Sequence, residues 1–227
     1  MGEINPHQNF KNNFNQDEHL FIESVTPEEE LSLQAVLLAE VVKRLLETKA
    51  NLKLSEKPNI QKQPIVEFRK RMRVVSLDKF PIGSYISVVN FYLNEKEMKV
   101  HKAIGAIVVS VAEDYISFLF KKMEYPLIDD DDPAVLEDAV GTLANLIAGN
   151  FKAGITQWGY QDLAMSSFRS YKNDVIDGVE FDATQKEKYV ISFIIRGTKM
   201  IDIELTLGKV PRNQAVAYKR IIKKGDI

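Results

Sequence analysis

Apolar residues recur at spacings of three and four through Leu31, Ala35, Leu38, Val41, Val42, Leu45 and Leu46, with Glu40, Lys43, Arg44 and Glu47 between them. That period predicts an amphipathic helix. Thr26, Pro27 and Glu29 just ahead of it supply a capping hydroxyl, a proline at the first helical position and a glutamate three residues after the cap, so the helix is expected from there to about Ala50. A second helix is predicted over 133–157, opened by Pro133 behind the acidic run 129–132. Between the two, residues 65–77, 83–93 and 100–111 are β-rich, with 94–97 as a hairpin connection, and the period turns helical over 112–123. After the second helix, 162–170, 189–196 and 200–207 read as strands, with Gly197 and Thr198 as a tight turn. The stretch between Pro58 and Pro64 reads as a linker and 173–188 as a loop. The order predicts an α+β fold, an antiparallel sheet of about six strands with the long helices packed on one side.

Residues 1–20 are polar and rich in Asn, with too little apolar surface to offset chain entropy, and are expected to form a flexible arm. A single domain is expected over 21–210, followed by a basic tail at 211–227. The 227 residues are 45% hydrophobic, enough for a sizeable core. Thirty Lys and Arg against 32 Asp and Glu give a net charge of -2, so the whole chain exerts no pull on nucleic acid or anionic lipid. The absence of cysteine removes disulfides, thiolate metal sites and cysteine nucleophiles, and fits a reducing compartment. The N-terminal residues lack the apolar stretch of a secretory signal and no apolar run reaches the roughly 20 residues of a spanning helix. A cytoplasmic location without a membrane anchor is therefore expected.

The strongest charge cluster is Arg69, Lys70, Arg71 and Arg73 beside Phe68. A phosphate- or RNA-contacting strip is one reading, and a solvated stripe of alternate strand residues guarding a sheet edge is the other. The acidic run 129–132 suits helix capping better than a cation, because consecutive acids at a helix start do not converge on one point. His7, His19 and His101 show no ligand spacing. No metal or cofactor is expected.

The segment from Glu137 to Lys152 resembles the signature helix of the CheX/CheC-like chemotaxis phosphatases. Asp138, Ala139, Gly141, Leu143, Asn145, Ile147, Gly149, Asn150 and Lys152 match that family's pattern in register. The resemblance implies a partner, a phosphorylated response-regulator receiver domain, and a Glu and an Asn one helical turn apart that enter its acid pocket together. It implies that the Asn orients the attacking water while the Glu pairs with the receiver's lysine, the receiver itself holding Mg²⁺ and the aspartyl phosphate. Here Asn145 stands at the Asn position, but Thr142 stands where the family has Glu, which implies weak or absent phosphatase activity. The same likeness makes Asp138, Gly141 and Gly149 expected partner contacts, the two glycines as close-packing positions. It also gives a fainter echo at Glu40, where Lys43 replaces the second Asn. A homodimer is expected in addition. A non-enzymatic adaptor is the alternative reading, and an RNA-contacting protein acting through the 69–73 strip a further one.

Overall fold

In the computed structural model the described residues are 27–75, 79–126, 132–172 and 174–213. The elements are α1 (Pro27–Lys49), β1 (Asn59–Pro64), β2 (Glu67–Phe68), β3 (Arg71–Val75), β4 (Ser84–Tyr92), α2 (Glu95–Lys99), β5 (Gly105–Ala112), α3 (Ile116–Lys122), α4 (Pro133–Gln157), β6 (Ala164–Met165), β7 (Arg169–Lys172), β8 (Val175–Val179), β9 (Glu187–Ile195) and β10 (Thr198–Leu207). Both long helices stand where their periodicity and prolines placed them. The arm 1–20, the cap Thr26, the acids at 129–131 and the tail beyond 213 lie outside the described residues.

The main sheet is antiparallel with strand order β1-β9-β10-β5-β4-β6, and β7 pairs with β4 beside β6. Helices α1 and α4 cover one face. Leu38, Leu46, Phe151, Phe91, Ile107, Phe193 and Ile203 bury their side chains there, and the Phe91 and Phe151 rings meet at 5.9 Å. The two helices run antiparallel. Tyr160, just past α4, donates to Glu30 of α1 at 2.6 Å, and a Cβ at Gly154 would lie 3.1 Å from Leu37. Among the described residues, no helix is long and apolar enough to cross a membrane.

The second face of the sheet departs from expectation. A separate three-stranded antiparallel sheet, β2-β3-β8, lies over β4 and β5, closing a smaller core of Met72, Val74, Ile86, Val88, Val108, Ile176 and Val179. Strands β4 and β5 are therefore buried along their whole length, which explains their near-continuous Val and Ile runs. Four expectations are corrected. Residues 59–64 form edge strand β1, whose polar side chains disguised it as a linker. Within the stretch 65–77, expected as one strand, Glu67–Phe68 and Arg71–Val75 form two strands, reversing at Arg69 and Lys70, both left-handed with φ of 51° and 61°. Residues 175–179, read as loop, form β8. The connection at 94–97 belongs to a short helix, capped by the Asn94 side chain accepting from Lys96 and Glu97 N–H.

Beside the small sheet, the main sheet's second face turns polar. Glu204 on β10 is buried between Lys79 and Lys188, the latter at 2.6 Å. Burial alone would raise its carboxyl, but the two ammonium groups outweigh it and hold the group below the usual carboxylate range.

Candidate functional site

Helix α4 starts on a cap: the Asp132 side chain accepts from the Ala134 N–H at 2.9 Å and Pro133 occupies the first turn. Leu136, Ala139, Val140, Leu143, Ala144, Ile147, Ala148 and Phe151 fill the core below. Asp138, Thr142, Asn145, Gly149 and Lys152 follow at alternating steps of four and three, which places them in one stripe on the other side of the helix. At 1.5 Å per residue that stripe runs about 21 Å.

The middle of the stripe is open. Asn145 is exposed and its carboxamide meets no partner among the described residues. Asp138 is likewise exposed two turns earlier. A Cβ built on Gly149 would have nothing within 4 Å. The expectation of close packing at Gly149 is thus corrected: the position is a smooth break in the helix surface.

Thr142 differs from its neighbours. It is half-buried, and its Oγ1 lies 3.4 Å from the hydroxyl of Tyr125, in the turn after α3. The Tyr125 ring packs edge-on against Phe120 at 5.3 Å, which fixes the phenol beside the helix. One turn from Asn145, Thr142 of α4 and Tyr125 beside it therefore present a pair of neutral hydroxyls. Thr142 and Tyr125 are 17 residues apart, and no sequence spacing signals their meeting.

Gly141 is not on the open face. It is buried, and a Cβ there would fall 2.2 Å from ring carbons of Phe168, so it is a packing position where the chain between β6 and β7 crosses the helix. Its expected role as a partner contact is corrected accordingly. Asn150 also turns inward along its own helix, donating from Nδ2 to the Leu146 carbonyl at 2.8 Å. Lys152 ends the stripe in an ion pair with Asp162 at 3.1 Å, on the loop that leaves the helix.

Glu40 stands apart. Its carboxylate accepts from Arg44 Nε at 2.7 Å and lies 3.6 Å from Lys43, both on α1 itself. The antiparallel packing of the helices sets Glu40 level with about the Phe151 turn, roughly 9 Å along the axis from Asn145. The structure brings together Asp138, Thr142, Asn145 and Gly149 and leaves Glu40 on the neighbouring helix.

No protein-family model matches the sequence, and no curated protein matches it by sequence. Solved structures do match the fold. A protein assigned to chemotaxis from Desulfovibrio vulgaris Hildenborough superposes with a TM-score of 0.52 at 18% identity, over 77% of this chain and 96% of its own. The chemotaxis protein CheX from Desulfovibrio desulfuricans gives 0.50 at 19% identity, over 77% and 99%. A CheC-like superfamily protein from Shewanella sp. PV-4 gives 0.51 at 20%, over 76% and 95%. The fold of the chain, from the two helices to the antiparallel sheet they cover, is that of the CheX- and CheC-like chemotaxis proteins.

Proposed function

We propose that the chain binds a phosphorylated receiver domain through the exposed stripe of α4 and hydrolyses its aspartyl phosphate slowly or not at all. The observation that carries this reading is the open carboxamide of Asn145, at the centre of a helix whose other faces are buried and whose next turn is cleared by Gly149. A side chain so placed can enter a narrow concave site on a partner and hold a water there without competing bonds. Nine in-register residues of the signature helix, standing on the corresponding fold, support the same assignment.

At Thr142 the geometry favours the non-catalytic side of the proposal. The hydroxyl pair it forms with Tyr125 carries no charge and cannot make the ion pair that a glutamate offers to a receiver lysine. A hydrogen bond between charged groups in a partly dry site contributes about 1.5–3 kcal/mol, so its absence weakens affinity or rate by roughly one to two powers of ten. The chain is then an adaptor that senses receiver phosphorylation, with hydrolysis a residual activity. The test measures binding to, and phosphate release from, receivers treated with acyl phosphate. Thr142→Glu is expected to raise both and Asn145→Ala to abolish both. Robust release that ignores Asn145→Ala would refute the assignment.

A further inference from the structure

We propose that the outer face of the small sheet is a second docking surface, separate from α4, for a protein partner presenting apolar side chains flanked by carboxylates. Met72 and Val74 of β3 point into the core, so Arg73 and Val75 point out, while Arg71 at the start of the strand reaches the buried Glu180 at 3.3 Å. The register carries this side across the sheet: Phe68 pairs with Arg71, and Val175 with Val75. Val66 continues the face at the end of β2, its carbonyl accepting from Arg73 N–H at 2.7 Å.

The exposed side chains there are large and apolar: Val66 is 55%, Phe68 41% and Val75 44% exposed. Among the described residues no element covers them. The guanidinium groups of Arg69 and Arg73 lie over the Phe68 ring at 5.2 and 5.4 Å, which spreads positive charge across an apolar centre. Arg71 is paired with Glu180 at 3.3 Å, so the charge offered outward is that of the exposed Arg69 and Lys70, and the one acid of the stretch 65–75, Glu67, pairs with inward-facing Met72 and so sits on the other side of β2.

The hairpin tip places charge beside the patch. A two-residue turn with both residues left-handed ordinarily takes Asn-Gly, because Cβ crowds the carbonyl oxygen in that conformation and only glycine, or asparagine by local hydrogen bonding, adopts it readily. Here the tip is Arg69-Lys70. Both side chains are exposed and project at the rim of the apolar patch.

Charge and composition select the occupant. A second copy stacked face to face would bring two copies of the same cationic patch together, which disfavours the twofold arrangement. Exposed valines do not stack on bases, and the single ring of Phe68 does not make the platform on which successive bases stack. Phe and Arg interleaved with aliphatic residues on a sheet face match the core of a protein interface, and the excess positive charge calls for acidic residues opposite.

The experiment pans a display library of short random peptides against the full chain, then measures enriched peptides by fluorescence anisotropy. Enriched sequences are expected to combine Asp or Glu with Leu, Ile or Phe, and their binding to fall with added salt. Affinity should drop roughly tenfold or more in Arg69→Glu/Lys70→Glu and in Phe68→Ser. Val75→Ser, at the other end of the face, tests the same surface if Phe68→Ser melts early. Enrichment of peptides without acids, or of peptides that bind the charge-reversal variant equally well, would overturn the proposal. Tighter binding to phosphatidylglycerol vesicles or to oligothymidine, lost in the same variants, would overturn the choice of a protein partner.

Discussion

Gly141 and Gly149 lie eight residues apart on α4, both with ordinary helical backbone, and the same substitution should move stability in opposite directions. Replacing glycine by alanine in a helix interior gains about 1 kcal/mol from backbone entropy. At Gly149 nothing within 4 Å opposes that gain, so Gly149→Ala should stabilise by about 1 kcal/mol. At Gly141 the new methyl would meet Phe168 Cδ2 and Cε2 at 2.2 Å and Cγ at 2.8 Å, so the whole ring must move. Carbon atoms settle at about 3.5–4.0 Å, which puts this near the upper end of the roughly 1–3 kcal/mol that overpacking costs. After the entropy gain, Gly141→Ala should destabilise by about 2 kcal/mol. In a domain of this size, 1 kcal/mol moves the melting midpoint by about 2–4 °C, so Gly141→Ala should melt about 4–8 °C lower and Gly149→Ala about 2–4 °C higher. Thermal denaturation followed by circular dichroism reads both shifts. Combining Gly141→Ala with Phe168→Ala should cost less than the sum of the two, because the clash is removed with the ring. An unchanged or raised midpoint for Gly141→Ala would show that the ring does not confine this position.

Other features of the structure carry their own expectations. Glu204→Gln leaves Lys79 and Lys188 facing each other in a buried site and should cost about 3–5 kcal/mol in urea unfolding; a loss under about 1 kcal/mol would mean that water reaches the pair. At alkaline pH, burial and the bond to Glu30 push the Tyr160 hydroxyl up to about 12, and burial and the bond to Glu180 push Tyr92 higher still. Both raised groups stabilise the fold below the ordinary tyrosine range near 10, and that contribution is lost as pH rises through their folded values. Stability should therefore fall from about pH 10 upward, and the double variant Tyr92→Phe/Tyr160→Phe should flatten the decline; an equal slope in both proteins would contradict it. A homodimer is also expected, since β1 is an edge strand of the main sheet, and light scattering at high concentration should give twice the chain mass, a monomer counting against it.

The long helices were legible because their signals are local. Pro27 and Pro133 each open a stretch whose apolar period matches a helix over six or more turns. The small sheet was not, because its strands exist by virtue of what they pair with. In β8, Asp177 and Gly178 interrupt the alternation expected of a strand, and only pairing with β3 gives Ile176 and Val179 a core to enter. Strand β1, with Asn59, Gln61, Lys62 and Gln63, has the polarity of an edge and so resembles a linker. The turn at Arg69-Lys70 was hidden by residues that rarely make one. At the site, the stripe through Asp138, Asn145 and Gly149 follows from helix spacing, whereas the burial of Gly141 under Phe168 and the approach of Tyr125 to Thr142 depend on where distant loops return.

The central claim is that Asn145 is the working group of an exposed docking face whose charged companion is missing. Its most direct test is titration of one phosphorylated receiver with wild type, Asn145→Ala and Thr142→Glu, following bound fraction and phosphate release together. Weak phosphorylation-dependent binding by wild type, loss in Asn145→Ala and a gain of roughly tenfold or more in Thr142→Glu are predicted. Binding that is the same for all three proteins, or indifferent to phosphorylation, would contradict the account.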